Sequence, residues 1–442
     1  MKKQILNTVI MIAVSITSSL AQWSQETLPT ARYRMGATAL GSKVYFAGGT
    51  SFLFSSTNII DIYDFNTGLW TTANLSATRD LAAGYSVGSK VFFAGGVNFN
   101  NSTVSDVVDI YDSTTNQWTS AQLSVPRFGI GIVSDGNNVL FAGGVGGFSG
   151  PVFDVVDVYN IATGTWSTTN LSEARGVNTA AVSGSKAIFA GGYDAVGGIT
   201  NKVDIYDFST QTWATSILSQ ARGFAAAAAV GDKIYIGGGM IASNTPTNRV
   251  DIYDVSTGTW SIDSLSAARA WMDNAVTANG NVVFAGGAIV DFSSNSWGSP
   301  TGTVDIYNPA TGVWSVTSFN GPVILHSNAA SMNHVLVAGG LSGNVSNAVH
   351  IYTFPVSGIN ESNSTGRFKY YPNPVTDMLN VTVVQSIANT VLRLYNVNGE
   401  LLSEQKVTNN TTQIDVSKLE AGLYIIKLQS NEGVEIGKLI KQ

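Results

Sequence analysis

The chain of 442 residues carries 46 glycines, no cysteine and a formal net charge of −6. The missing cysteine excludes disulfides, thiolate metal sites and cysteine nucleophiles. The acidic balance, 13 Lys and Arg against 21 Asp and Glu between Trp23 and Phe354, argues against nucleic acid or an anionic membrane as a partner.

In chain order, residues 1–21 read as a signal peptide. Lys2 and Lys3 precede an apolar run from Ile5 to Ile16, and Ser19 and Ala21 stand at the −3 and −1 places of a cleavage site. The run is too short to span a bilayer, so no transmembrane anchor is expected once the segment is cleaved before Gln22.

From there the chain repeats itself. IDIYDFNTGLW (Ile60–Trp70) returns as VDIYDSTTNQW (Val108–Trp118), VDVYNIATGTW (Val156–Trp166), VDIYDFSTQTW (Val203–Trp213), VDIYDVSTGTW (Val250–Trp260) and VDIYNPATGVW (Val304–Trp314). Each unit runs Arg, a small-residue strand, a tight turn, an apolar strand ending in Gly-Gly, a variable loop, the DIYD strand, a tight turn and a Trp strand. A seventh unit has Gly339-Gly340 and Ile351-Tyr352 but no Trp strand after them. Trp23, with Leu28 and Arg32 at the offsets that Leu75 and Arg79 hold from Trp70, supplies the missing piece from the other end. Such an exchange closes a ring of four-stranded sheets. The expected fold is all-β, a seven-bladed β-propeller over residues 22–354 closed by an N-terminal strand. GFAAAAAVG (Gly223–Gly231) scores as helix on alanine content, but its place in the repeat makes it an innermost strand.

The order Arg, Gly-Gly, Tyr, Trp at a spacing of about 47 residues resembles the kelch repeat. The resemblance implies propeller blades and little about function, because the fold hosts binders and enzymes alike. Some kelch-like propellers resemble galactose oxidase, whose copper site needs a tyrosine crosslinked to cysteine; a chain without cysteine excludes that chemistry.

Most repeated positions read as scaffold. Tyr and Trp fill the widening gap between blades, with both faces of their strands expected to be buried. The Gly pairs allow close backbone approach or positive φ. Asp64, Asp112, Asp207 and Asp254, with Asn160 and Asn308, start turns by Asx capping rather than by holding calcium. Neither a metal nor a cofactor is expected.

The series Arg32, Arg79, Arg127, Arg175, Arg222 and Arg269 has two readings. It rings the channel mouth and binds an anion, or each member pairs inside its blade with Asp61, Asp109, Asp157, Asp204, Asp251 or Asp305. Val323 and His350 replace both partners together in the seventh unit, which favours the pair, since a half-buried Asp left alone is costly.

In an up-and-down blade the second and fourth turns share one face. The second turn, after Gly-Gly, varies most, and the fourth carries the Arg series with Tyr33, Arg34, Phe128, Phe224 and Trp271 close behind. Binding is therefore sought on that face. Trp271 and Trp297 fall outside the repeat in the sixth unit; beside Asp291 they offer a sugar-stacking platform or a protein hot spot, or else plug the mouth and pin a loop. His326, His334 and His350, the only histidines, form no Ser-His-Asp or HExxH constellation.

Residues 355–367 read as a polar linker. The remainder, 368–442, alternates strands and turns as a small Ig-like β-sandwich. Tyr371-Pro372-Asn373-Pro374, Leu394-Tyr395-Asn396, Gly399, Leu419, Gly422, Tyr424 and Gly437-Lys438-Leu439 resemble the C-terminal sorting domain of type IX secretion. That resemblance implies the type IX machinery as partner and passage through a Bacteroidota-type outer membrane, with release or surface attachment after the tail is removed.

The function expected is a secreted or surface-displayed monomeric propeller that binds an extracellular glycan or protein. The alternative is a carbohydrate-active enzyme, an isomerase or oxidase not of the copper type, which needs carboxylates such as Asp80, Asp273 and Asp291 clustered near the axis.

Overall fold

The computed structural model describes residues 22–51, 55–176, 178–241, 245–289, 299–355, 368–383, 390–396, 401–407, 409, 411–420, 422–430 and 433–441. The expected signal peptide, residues 356–367 of the expected linker, the pair Asp291 and Trp297, and Gly399 lie outside the described residues. The chain divides into two compact units, Met1–Phe354 and Pro355–Gln442.

In the first unit, the described residues form seven four-stranded antiparallel sheets, six of them running from an inner to an outer strand in sequence order. Blade 1 is Gly36–Leu40, Lys43–Ala47, Ile59–Asp64 and Leu69–Asn74. The inner strands stand side by side in chain order: Gly36–Leu40, Ala83–Val87, Gly131–Ser134, Thr179–Ser183, Ala226–Val230, Val276–Ala278 and Ser327–Ser331. The last lies beside the first. Blade 7 takes its outermost strand, Gln22–Thr27, from the N-terminus, with Trp23 opposite Tyr352. This is a closed β-propeller. The alanine run is the inner strand of blade 5, where crowding at the axis overrides helix propensity.

Two devices hold blade to blade. Apolar residues of adjacent sheets interleave, as Phe92 and Ala94 do with Val139 and Phe141. The Gly-Gly pairs supply the other. Gly49 N–H donates to the carbonyl of Arg79 at 3.1 Å, and Gly340 N–H to that of Arg32 at 2.9 Å, which closes the ring. Gly48 has φ +64°, and a Cβ there would lie 2.1 Å from the Arg79 carbonyl oxygen. Only glycine fits.

Within each of blades 1–6 the leading arginine is wholly buried and pairs with the aspartate of its own third strand. Arg79 Nη2 also donates to Phe93 O at 3.2 Å. The second carboxylate oxygen of Asp109 accepts the N–H of Ser76, which ends the preceding blade; Ser124, Ser172, Ser219 and Ser266 do the same for the next four aspartates. Pro29 holds the corresponding place ahead of Asp61 and has no N–H to give, and burial pushes the Asp61 carboxyl up. In blade 7, Val323 and His350 are both buried, and His350 stacks on Phe319, centroids 4.6 Å apart. An aromatic stack thus replaces the ion pair.

The turn aspartates cap their turns: Asp64 Oδ1 accepts Asn66 N–H and Asp254 Oδ1 accepts Ser256 N–H. One packing expectation fails. The outermost strands are exposed at most positions and half-buried at only two, as Trp70 and Ala73 in Leu69–Asn74, with Leu69 64% and Ile217 58% exposed. The blades splay outward, so the Trp strand is covered on only part of its surface.

The described residues of the second unit form two sheets. One holds Phe368–Tyr371, Met378–Val383 and Thr411–Asp415; the other holds Leu401–Lys406, Val391–Asn396, Gly422–Ser430 and Gly433–Lys441. Leu379, Val381 and Ile414 of the first share a core with Leu392, Leu394, Ile426 and Leu439 of the second.

Candidate functional site

The site is built from a position two residues after each leading arginine. Arg34, Leu81, Phe224 and Trp271 stand there with φ of 58°, 54°, 51° and 62°, Gly129 with 64°, and Leu325, counted from Val323, with 55°. The seventh equivalent, Val177, lies outside the described residues. The conformation follows from ring assembly. The preceding residue bridges the strand end after Gly-Gly, as Tyr33 does with Thr50 and Phe128 with Val145, so the chain must turn sharply into the inner strand. Arg34 N–H donates to Leu325 O at 2.9 Å and Leu81 N–H to Arg34 O at 3.0 Å. A left-handed φ costs a side chain other than Gly, Asn or Asp about 1–2 kcal/mol, a strain that tends to gather at functional sites.

All six described members line one cavity of about 770 Å³ at this mouth. Phe224 and Trp271 stack with centroids 4.1 Å apart and planes at 17°, and Tyr193 meets Phe224 edge-on at 5.4 Å. Phe128 touches Phe148 at 5.3 Å, and Phe148 touches Phe99 at the same distance. The Arg34 guanidinium lies over the rings of Phe99 (4.9 Å) and Tyr33 (5.2 Å). Sequence reasoning picked out Arg34, Phe128, Phe224 and Trp271, which meet at this cavity. It missed Phe99, Phe148 and Tyr193, one aromatic in the variable loop after each of three successive Gly-Gly pairs.

The titratable groups differ in setting. Asp273, φ 57°, faces the open cavity, yet the enclosing walls push its carboxyl up to about 7 against the N–H groups of Asn328 and Asn274, which favour the ionised form. Asn328 N–H donates to Asp273 Oδ2 at 2.8 Å, and Asn328 Nδ2 donates to Met272 O at 2.6 Å. These bonds compensate for an inner strand shortened to three residues in blade 6. Burial pulls His326 down to about 4, so it is a neutral imidazole at physiological pH. Asp80 is wholly buried and accepts the Thr50 hydroxyl; burial raises it to about 6. Asp80 does not line the cavity, so the carboxylate cluster required for an enzyme is not assembled from Asp80 and Asp273. The leading arginines are not at the mouth either: each is covered by its own blade. Among the described residues no group of three or more metal-ligating side chains converges.

In the second unit, the residues of the expected sorting signal clasp each other. Asn373 Nδ2 donates to Lys438 O at 2.8 Å, and Ile440 N–H donates to Asn373 Oδ1 at 2.8 Å. Tyr370 OH reaches Lys438 O at 3.0 Å, and a Cβ on Gly437 would lie 2.6 Å from the Tyr370 ring. Pro372 and Pro374 flank Asn373, Gly422 opens its strand opposite Lys441, and Tyr424 OH donates to Glu420 O at 2.8 Å.

Comparison with known proteins agrees with this architecture. The solved structure of YjhT superposes with a TM-score of 0.53 at 16% identity, over 66% of this chain and 99% of that one; at that identity the likeness concerns the fold. Funoran endo-beta-hydrolase of Wenyingzhuangia aestuarii is 41% identical over 59 residues, which is 13% of this chain and 8% of that enzyme. Residues 369–442 match the secretion system C-terminal sorting domain, which marks a protein exported by the type IX machinery to the cell surface or extracellular space. No described helix is long and apolar enough to cross a membrane. Residues 91–350, more than half of the chain, match the Attractin/LZTR1 beta-propeller, and the chain belongs to that family.

Proposed function

We propose that this secreted propeller is a binding module that captures an extracellular glycan or protein in the mouth cavity, as a monomer. In this reading 1–21 is the leader, 22–354 the binding ring, 355–367 the linker and 368–442 the export signal. The observation that supports it is the 770 Å³ cavity, walled by aromatic rings on the face where the loops vary. Its size is that of a ligand pocket, and aromatic anchors at the centre of a concave surface carry most binding energy. A glycan and surface-protein array probed with the purified full chain tests it. Binding that falls at least tenfold in Trp271→Ala supports the assignment, and binding unchanged by that substitution removes it.

A carbohydrate-active enzyme is the second reading. Asp273 favours it, because this carboxyl is exposed on the cavity wall with the surrounding protein pushing its pKa upward, which suits proton exchange with a bound ligand. A glycan-turnover screen comparing the native chain with Asp273→Asn decides between the two.

A further inference from the structure

The ring of left-handed residues shows one backbone state carried by five residue types at six described positions. Gly129 demonstrates that glycine meets the backbone requirement at this position, and glycine meets it without strain. Yet the other described members are Arg, Leu, Phe, Trp and Leu, and every one lines the cavity. The backbone geometry therefore explains the turn but not the side chains. Packing between blades explains them only in part: Phe224 and Trp271 touch across blades 5 and 6 and Trp271 Nε1 donates to Met240 Sδ at 3.2 Å, yet both stay half-buried and open to the cavity.

We propose that these positions form a specificity ring that reads the end of a carbohydrate chain, with a pyranose face laid on the Phe224–Trp271 stack. The proposal rests on the binding reading above and deepens it by naming the ligand class and the residues that select it. The stack of Phe224 on Trp271, centroids 4.1 Å apart, makes a rigid aromatic unit whose outward ring face suits the C–H face of a sugar, because the face of a ring is its electron-rich side. The same cavity carries Asp273, Asn274, Asn178 and Thr179, polar groups that suit a ligand bearing hydroxyls all around its rim. A protein face of ordinary interface size, about 800 Å² per partner, does not enter a concavity of this volume; a chain end does.

The test measures stability and affinity on the same variants. Phe224→Gly and Trp271→Gly, with Trp271→Asn as a milder variant also tolerant of left-handed φ, are made in the full chain. Each is assayed against short β-galactan, β-glucan and chitin oligosaccharides. The expected result has opposite signs: Tm unchanged or raised by about 2–4 °C as strain is released, and affinity for the bound oligosaccharide lowered at least tenfold. A Tm lowered by several degrees with affinity intact overturns the ring assignment while leaving a mouth ligand in place. Failure of the native chain to bind any of the oligosaccharides, while a protein ligand is captured and lost in Trp271→Asn, overturns the carbohydrate class alone. Oligosaccharide binding that none of the variants affects overturns both the ring and the mouth site.

Discussion

Arg79 Nη2 donates to Asp109 Oδ2 at 2.6 Å inside blade 2, with the arginine fully out of solvent. Breaking a buried pair from one side strands a charge and costs about 3–5 kcal/mol, whereas replacing both partners with packed groups is often near neutral. Blade 7 has already made that replacement with Phe319, Val323 and His350. Arg79→Val is therefore expected to lower stability in urea titrations by about 3–5 kcal/mol. The triple change Leu75→Phe, Arg79→Val and Asp109→His should recover more than half of it. A triple variant no better than the single would show that blade 7 depends on its neighbours rather than on this stack.

Asp80 gives a pH dependence of opposite sign to the usual carboxylate. Its folded pKa is raised by burial to about 6 from an ordinary 3.8, so between those values the native state holds more protons than the unfolded one. Stability then falls as pH rises through that window and stays lower above it. Asp80→Asn is expected to raise stability at pH 7.5 by an amount on the order of 1–3 kcal/mol, and the gain should vanish near pH 4. A loss at every pH would mean that attraction to Arg32 and Arg34 outweighs desolvation.

Ring closure puts unusual weight on one terminal side chain. Trp23 lies against Phe319 and Tyr352, centroids 5.5 and 5.2 Å apart, and donates to Thr317 Oγ1 at 3.1 Å. Trp23→Ala is expected to cost about 3 kcal/mol. It should also increase backbone exchange in Ala348–Thr353, which loses its neighbour. Unchanged protection there would show that the strand is dispensable.

The scaffold was readable because repetition states it many times over. The Trp23 strand, the Gly-Gly rivets and the joint loss of Arg and Asp in blade 7 follow from comparing copies. Arg34, Phe224 and Trp271 were singled out on the variable face, but the left-handed backbone they share was not readable. Left-handed backbone usually shows as Gly or Asn, and this position holds Arg, Leu, Phe and Trp, so only Gly129 hinted at it. Asp273 was noticed as a carboxylate, but its place on the cavity wall depends on the shortened strand of blade 6, which nothing local predicts. Partial exposure of the Trp strands follows from the outward splay of the blades, a property of the assembled ring rather than of any one repeat.

The tail is locked through Asn373, which bonds to Lys438 and Ile440 across more than sixty residues of sequence. Asn373→Ala should cost the second unit about 1–3 kcal/mol and lower the amount of protein reaching the culture medium. Normal export of a destabilised tail would separate the fold of this signal from its reading by the secretion machinery.

The account stands most directly on where a ligand sits. Hydrogen–deuterium exchange of the full chain, with and without the extracellular ligand that binds it in the array, locates that ligand without any substitution. Slowed exchange concentrated at 33–36, 223–226 and 270–274, with the tight-turn face unaffected, is the predicted result. Protection centred on the opposite face or on the exposed outer strands would contradict it.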